Sequence, residues 1–527
     1  MGADVEKLKK AAKNYMRIVL GAYLVLMIVI FPFYAPQGYV EIGVSKYEFF
    51  KMSGILSLLA AFPAVVILLS SYIKTGIKNK KISKLSVTDK AMLFYIAAVL
   101  FSFIGTEWKE EAVWGAEGWY MGLFSQLMFA LIYFAVSRFA ENIKIWYWVM
   151  LAVSFVVFGI GILNRFSIYP IEMEGSVPGF ISTLGNINWF CSYWMAVFPI
   201  GLVLYWIGEG TAGWKRAALI IYILLGFMTG LTQGSSSGFL ALAAVLITML
   251  LLSFSENEKL LRWLEIALLF SVSILLLSVL QNIFPEALNY ENAIEKWLTK
   301  YMVAFCIFAF AVIFYMVTRY WFKEKGGSVE TLRLLQKGLA AVLLLLALAV
   351  ILLVVYYNLL GKEPGNAKMA AAFTIDEDWG NARGTTWRTG VDAFVSMPVL
   401  NKLVGIGPDC FYLYAYSNGD IALRLYHVFG EARLTNAHNE WLTILVNMGI
   451  LGLLSYAAVF LSAIYRQIKE GEKKALLLVS AVCIISYTVH NMVSFQQVIC
   501  TPVVFFLIGF GENLIRNDTN RLKNDIK

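Results

Sequence analysis

The chain is poor in charged residues. Only 15% of its 527 residues are charged, whereas 59% are hydrophobic, and soluble proteins carry about 25% charged residues. This balance excludes an ordinary soluble domain. The net charge of +8 does not indicate a nucleic-acid partner, because most lysines and arginines lie in segments that the positive-inside rule of membrane proteins assigns to the cytoplasm.

Cysteine and histidine are also scarce. The five cysteines contain no CxxC pair, which excludes the common zinc and iron–sulfur spacings. The three histidines are His427, His438 and His490. We therefore predict no metal and no cofactor.

Long apolar runs dominate the chain instead. A bilayer span needs roughly 20 mostly apolar residues, and about 14 such runs predict an all-α integral membrane protein. An even number of spans with basic loops inside puts both termini in the cytoplasm. The predicted spans are 16–34, 50–73, 91–105, 119–137, 145–163, 187–207, 217–232, 236–254, 264–284, 301–321, 338–358, 441–464, 474–490 and 497–514.

One connection between spans is long and is predicted to be extracytoplasmic. Apolar residues recur in it at helical spacing, at Trp387, Val391, Phe394 and Val395, so we expect short helices on the membrane surface. This loop divides the chain into a transmembrane region of about 11 helices at 1–358, the loop at 359–437, and a region of about three helices with a cytoplasmic tail at 438–527.

Ionisable residues are almost absent from the predicted span interiors. Ion-coupled transporters usually place such residues near the middle of the membrane, and many show repeated halves. The polar chemistry of this chain is predicted to lie on the outer face instead. A polytopic transporter or flippase of lipid-linked oligosaccharides is the alternative, and a non-catalytic scaffold is the third possibility.

His438 lies about one helical turn before the apolar run 441–465. Asn436 is predicted to cap this helix, and Glu440 lies in its first turn. The positive end of the helix dipole lowers the imidazole pKa, whereas the Glu440 carboxylate raises it. If the dipole dominates, His438 is neutral near pH 7 and can accept a proton; an interfacial histidine that only forms hydrogen bonds is the alternative.

Further polar residues share the predicted outer face. Arg383 and Arg388 carry the planar guanidinium that suits phosphate oxygens, although solvated loop charges are the alternative. The stretch "GIGP" at 405–408 indicates a tight turn and is weak evidence for a phosphate loop. Asn186 and His490 stand at outer ends of spans, where caps and turns are common.

These motifs together resemble the O-antigen ligase and Wzy-type polymerase family of bacterial polysaccharide enzymes. The resemblance rests on "NARGTTW" at 381–387, the G-x-G-P turn, H-N-x-x-L at 438–442 and N-x-G-x-x-G at 447–452. The stretches "TLGNINW" at 183–189 and "HNMVSF" at 490–495 also resemble that family. One departure is "TQGSSSGFLAL" at 232–242, the stretch that corresponds to an S-R-G motif of the family; if Ser237 occupies the place of the arginine, one phosphate-binding cation is missing and another must substitute.

The resemblance implies a GT-C-like glycosyltransferase in the bacterial inner membrane. Such an enzyme transfers a glycan from an undecaprenyl-diphosphate carrier to a hydroxyl of a glycan, lipid or protein acceptor, with inversion and without a metal. The stretch "DED" at 376–378, which has a spacing that some metal-dependent glycosyltransferases use, is more often just solvated. Ligase and polymerase activities are not separated by the sequence.

The resemblance also implies roles for individual residues. His438 and Arg383 would be catalytic, the first orienting or deprotonating the acceptor hydroxyl and the second stabilising the leaving diphosphate. Five more residues would bind substrate, namely Arg388, Asn439, Glu440, Asn186 and His490.

Overall fold

The computed structural model describes residues 2–79, 85–175, 179–209, 213–289, 293–325, 329–359 and 373–525. These residues form α-helices, one π-helical turn at Leu26–Ile30, one 3-10 turn at Phe31–Phe33, and a two-stranded antiparallel hairpin, Phe180–Ile181 with Gly185–Asn186. The α-helices are Gly2–Val25, Ile42–Asn79, Val87–Gly105, Lys109–Trp114, Leu123–Phe139, Ile143–Arg165, Ile187–Trp206, Trp214–Thr232, Ser236–Ser253, Asn257–Ile283, Ala293–Leu298, Tyr301–Lys325, Val329–Leu359, Trp379–Ser396, Val399–Val404, Phe411–Ser417, Gly419–Phe429, Glu440–Gly471, Leu477–His490 and Thr501–Asp525.

Eleven helices within the described ranges are long and apolar enough to cross a membrane. The chain is therefore a polytopic, all-helical membrane protein, as the sequence predicts. Leu123–Phe139 and Leu477–His490 are apolar but shorter, and Thr501–Asp525 turns polar in its second half. These three helices correspond to the predicted spans that are missing from the eleven, so the count of about 14 and the GT-C-like architecture stay predictions.

The centre of the bundle is the helix Ile187–Trp206, nearly all of whose residues are buried. It packs against Trp214–Thr232, Ser236–Ser253 and Leu477–His490. Two peripheral helices, Tyr301–Lys325 and Val329–Leu359, contribute almost nothing to the interior. Because a lipid environment is as apolar as their side chains, such helices need no further protein cover.

Lys46 and Asp89 are among the charged side chains that are fully buried near the ends of helices. Lys46 donates hydrogen bonds to the carbonyls of Phe31, at 2.7 Å, and Pro32, at 3.0 Å. These carbonyls belong to the end of the first membrane-crossing segment, Asp4–Phe33, where the helix leaves acceptors without intrahelical partners. Asp89 forms ion pairs with Arg138 and Arg516. These groups thus join helices to one another.

The long loop is folded. Four of the helices above, Trp379–Ser396, Val399–Val404, Phe411–Ser417 and Gly419–Phe429, lie within it, which confirms the prediction of short helices. Buried apolar residues of three of them, Trp379–Ser396, Phe411–Ser417 and Gly419–Phe429, form a cluster with Ala112 and with Val446 of the next span. Residues 360–372 of the predicted loop lie outside the described ranges, and the predicted domain boundaries stay predictions.

Candidate functional site

The loop is docked onto a break in the helix Glu440–Gly471. Gly449 interrupts this helix with φ of 68° and ψ of −170°. The break leaves helix carbonyls without intrahelical donors, and the loop supplies donors for two of them. Ile406 N–H donates to the Val446 carbonyl at 3.3 Å, and Gly407 N–H donates to the Asn447 carbonyl at 3.0 Å.

This contact gives the glycines of both motifs a structural reason. A Cβ on Gly449 would lie 2.4 Å from the Leu403 carbonyl carbon, and one on Gly405 would lie 2.1 Å from the Asn447 oxygen. Only glycine permits so close a backbone approach at positive φ. The N–H groups of Ile406 and Gly407 are already used by the helix, so the G-x-G-P turn is a docking element and not a phosphate loop.

His438 is held just before this helix in a left-handed conformation, with φ of 49°. Its backbone N–H donates to Asn436 Oδ1 at 2.9 Å. The helix is capped by Asn439, whose Oδ1 accepts from Leu442 N–H at 3.1 Å. The prediction that Asn436 is the cap is therefore wrong. The cap is Asn439, three residues later in the chain, and Asn436 instead accepts a hydrogen bond from the His438 backbone.

The His438 imidazole is kept neutral by its surroundings. Burial and, after it, the positive charge of Arg383 lower the pKa of His438 to about 4. The expected opposing effect of Glu440 is absent, because that carboxylate points into the bundle. The ring packs edge-on against Phe495, with 5.1 Å between centroids, and its Nδ1 is buried without a hydrogen-bond partner among the described residues.

Arg383 is positioned by an unusual turn. Gly380, Asn381 and Ala382 all have left-handed backbones, with φ of 63°, 62° and 63°, which costs roughly 1–2 kcal/mol for a residue with a Cβ. The turn curls back so that the guanidinium Nη1 donates to the Gly380 carbonyl at 2.8 Å. The next residue, Gly384, must be a glycine, because a Cβ at this position would lie 1.7 Å from the Asp376 carbonyl oxygen.

The guanidinium of Arg383 then reaches the segment that also touches His438. Its Nε donates to the Val493 carbonyl at 3.3 Å, two residues before Phe495. Burial lowers the pKa of Arg383, but a guanidinium keeps its charge at any physiological pH. Within the described ranges no carboxylate forms an ion pair with Arg383, so its charge is available to an anionic ligand.

Arg388 behaves differently. Its side chain is 63% exposed and lies 4.0 Å from Glu377 and 3.8 Å from Asp392. Nothing in the described structure joins it to His438. In the described part of the chain, no group of three or more His, Cys, Asp or Glu residues is arranged to hold a metal ion; this includes the acidic stretch at 376–378.

Two predicted substrate-binding asparagines have capping roles. Asn439 caps its helix as described above, and Asn186 Oδ1 accepts from Asn188 N–H at 2.8 Å at the start of Ile187–Trp206. Asn186 also ends the small hairpin. These hydrogen bonds use the side-chain oxygens, so the predicted contacts with substrate remain untested for both residues.

Glu440 is the centre of a buried polar network. Its carboxylate accepts from Tyr487 at 3.0 Å and from Tyr456 and Asn491 over shorter distances. Its backbone N–H donates to the Asn491 carbonyl at 2.9 Å. No cation pairs with it in the residues that the structure describes. Glu440 therefore joins its own helix to the segment that follows Leu477–His490.

His490 extends this network toward Ser237. Its Nδ1 lies 2.9 Å from Asn491 Oδ1, and its Nε2 lies 3.2 Å from Ser237 Oγ. Both ring nitrogens are thus bound within the protein. Ser237 serves here as a partner of His490.

The residues that the sequence analysis missed are those that connect its candidates. Val493 and Phe495 carry the contacts to Arg383 and His438, and Asn491, Tyr456 and Tyr487 hold Glu440. The stretch "HNMVSF" contained a usable signal, because it holds a polar pair and an aromatic residue at the end of an apolar helix.

Comparison with known proteins supports the resemblance drawn from the motifs. Residues 299–457 match the family model described as O-antigen ligase (Wzy_C). The matched region includes Arg383, the docking turn, His438 and the break at Gly449. No curated protein matches the chain significantly. This match over residues 299–457 supports an O-antigen ligase or Wzy-type family assignment.

Proposed function

We propose that this protein transfers a glycan from an undecaprenyl-diphosphate carrier to an acceptor hydroxyl at the outer face of the bacterial cytoplasmic membrane. The family assignment supports glycosyl transfer in general terms. The choice of carrier, face and acceptor class is our own. The reaction would proceed without a metal and with inversion at the anomeric carbon.

One observation carries the proposal: the guanidinium of Arg383 and the imidazole of His438 both contact the short segment from Val493 to Phe495. A cation without a carboxylate partner suits a diphosphate, and a neutral imidazole suits an acceptor hydroxyl. Because the two groups share this segment, we place them at the two ends of one reacting bond.

The proposed roles follow from the chemistry of the donor. Diphosphate is a good leaving group, so it needs positive charge more than it needs a general acid. Arg383 would strengthen its interaction with the diphosphate as the glycosidic bond breaks. His438 would accept the hydroxyl proton, or orient the hydroxyl, as that oxygen attacks from the opposite face of the sugar.

Diphosphate binding would also tune the base. With the donor bound, two or more negative charges would lie beside Arg383 and offset its effect on His438. The imidazole pKa would then rise from its low value in the free protein toward the working pH. His438 would thus become a better proton acceptor when the donor is in place.

The test is a transfer assay with purified protein. The protein is incubated with an undecaprenyl-diphosphate glycan and with candidate acceptors, and the products are separated on a gel. A ladder indicates a polymerase and a single shifted band indicates a ligase. Movement of the donor across a vesicle bilayer without any transfer would instead favour the flippase alternative.

A further inference from the structure

An open cleft lies beside the candidate site and is not used by the proposed mechanism. Its volume is about 690 Å³. Six aromatic side chains line it: Tyr39, Trp119, Tyr120, Phe180, Trp189 and Tyr412. Three of its charged lining residues are acidic, Glu41, Glu111 and Glu117, and one is basic, Arg433.

We infer that this cleft binds the acceptor saccharide, and that it selects uncharged sugars and amino sugars over anionic ones. The inference rests on the proposed function, because the protein needs an acceptor site only if it transfers a glycan. The binding itself can be measured without any transfer.

Trp119 connects the cleft with the candidate site. It lines the cleft and also a second, much smaller cavity of about 20 Å³ that Asn436 and Glu440 border. Its ring meets Phe495 edge-on with 4.5 Å between centroids, and Phe495 meets His438 at 5.1 Å. A sugar resting on Trp119 would therefore lie two rings away from the proposed base.

The lining suits a saccharide. Aromatic faces pack against the C–H faces of sugar rings, while the polar edges of tyrosine and tryptophan offer hydrogen bonds. Trp189, which contacts Trp119 at 5.5 Å, has a buried Nε1 without a partner in the described part of the chain. That donor is free for a hydroxyl if the cleft opens slightly.

Tyr120 in the cleft lining packs over a second unsatisfied group. It stacks at 4.1 Å on Tyr47, whose buried hydroxyl has no hydrogen-bond partner among the described residues. Buried polar groups normally find partners. Tyr47 does not line the cleft itself, so among the aromatic lining residues Trp189 carries the unpaired donor.

The acidic lining gives the selectivity. Glu111 accepts from Tyr412 at 3.0 Å, but Glu41 and Glu117 are exposed and form no ion pair within the described ranges. Three carboxylates against one guanidinium repel phosphate and uronate groups and accept hydroxyl or ammonium donors. The unpaired Arg383 favours the opposite charge. The donor diphosphate would thereby bind at Arg383, and the acceptor sugar would bind in the acidic cleft.

The experiment measures binding of three methyl glycosides to the purified full-length protein by saturation-transfer NMR. The probes are the methyl glycosides of glucose, glucosamine and glucuronic acid. The first two are expected to bind and the glucuronide to bind at least about tenfold more weakly. Equal binding of all three probes, or binding of none, would overturn the inference.

Two variants link the binding to this cleft. Glu41→Lys combined with Glu117→Lys should reverse the preference toward the glucuronide, whereas Glu110→Lys, on the exposed side of the helix Lys109–Trp114, should not. Trp119→Ala should weaken glucoside binding about tenfold, with Trp114→Ala as the matched control outside the cleft. Unchanged probe preference in the charge-reversed variant contradicts the inference even if Trp119→Ala misfolds.

The two proposals fail in different ways. If transfer is observed but the cleft variants bind and transfer as the unaltered protein does, the cleft inference is wrong and the proposed function stands. If the glycosides bind as expected but no transfer or His438 dependence is found, the proposed function is wrong and the cleft remains a saccharide site.

Discussion

Arg383 and His438 reach the same short segment from two different parts of the chain. The guanidinium donates to the Val493 carbonyl at 3.3 Å, and the imidazole packs against Phe495 at 5.1 Å. Both depend on left-handed backbone, at Ala382 just before Arg383 and at His438 itself. Strained backbone of this kind persists where the surrounding structure over-determines it, often at functional sites.

Replacement of the imidazole should abolish most of the activity without unfolding the protein. A positioned general base contributes about 10²–10⁴-fold, so we expect His438→Ala to lower the transfer rate by that factor. His427→Ala, an exposed histidine in the helix Gly419–Phe429, is the matched control. Full transfer activity in purified His438→Ala protein would exclude the proposed role.

The protonation of His438 should occur at unusually acid pH. Burial and the Arg383 charge lower its pKa to about 4, so the imidazole remains neutral across pH 5–8 in the free protein. NMR titration of the labelled imidazoles, of which the chain has only three, measures this directly. Arg383→Gln should raise the pKa, because it removes a positive charge that disfavours the imidazolium; a lower or unchanged value would contradict the proposed proximity.

The two arginines of the loop should differ in importance. Arg383 is half-buried without an ion pair, whereas Arg388 is exposed and lies near Glu377 and Asp392. Loss of a charge-assisted hydrogen bond costs about 1.5–3 kcal/mol, so Arg383→Ala should lower kcat/KM by about 10- to 100-fold. Arg388→Ala should lower it less than threefold. Equal losses of kcat/KM in the two variants, measured by steady-state assays, would show that Arg388 contributes to the site as much as Arg383 does.

Closing the space at the helix break should undock the loop. Gly449→Ala adds a Cβ within 2.4 Å of the Leu403 backbone at a positive φ, and the left-handed conformation alone costs roughly 1–2 kcal/mol. We expect a lower unfolding midpoint and faster proteolysis of the loop. Gly159→Ala is the control, since nothing lies within 4 Å of a Cβ there. Equal midpoints for the two variants would argue against docking.

Asp409 should make stability depend on pH. Its Oδ2 accepts from the N–H groups of Ala116 and Met121, both at 2.8 Å, but burial raises its pKa from 3.8 to about 7. Folding therefore favours the protonated acid, so this contribution is complete below about pH 4 and is lost as the pH rises through about 7.

Asp409→Asn removes that titration while retaining an acceptor for the two N–H groups. The variant should lose less of its unfolding midpoint between pH 5 and pH 8 than the unaltered protein does. Asp420→Asn, at an exposed position in the same loop, should leave the pH dependence as it is. Parallel midpoint curves for all three proteins would show that Asp409 does not titrate in this range.

The candidate site was only partly predictable from the sequence. His438 and Arg383 stood out because histidine and charged residues are scarce in this apolar chain. The glycine motifs stood out because glycines mark turns between helices. The meaning of the G-x-G-P turn was not visible, since its N–H groups bind carbonyls of Val446 and Asn447 that a helix break exposes. The cap at Asn439 was missed by three residues because several asparagines precede the helix.

Composition and hydropathy by themselves determined that this is a polytopic helical membrane protein with a long, partly helical loop. Those properties follow from the free energy of placing apolar side chains and backbone polar groups in a bilayer. A single helical segment meets both requirements by itself, so its own sequence is enough to predict it. Only the tertiary structure decided that Arg383 and His438 contact one segment through Val493 and Phe495, that Glu440 points inward, and that Trp119 borders two cavities. Such contacts join residues far apart in the chain, and their energies depend on packing that no single segment contains.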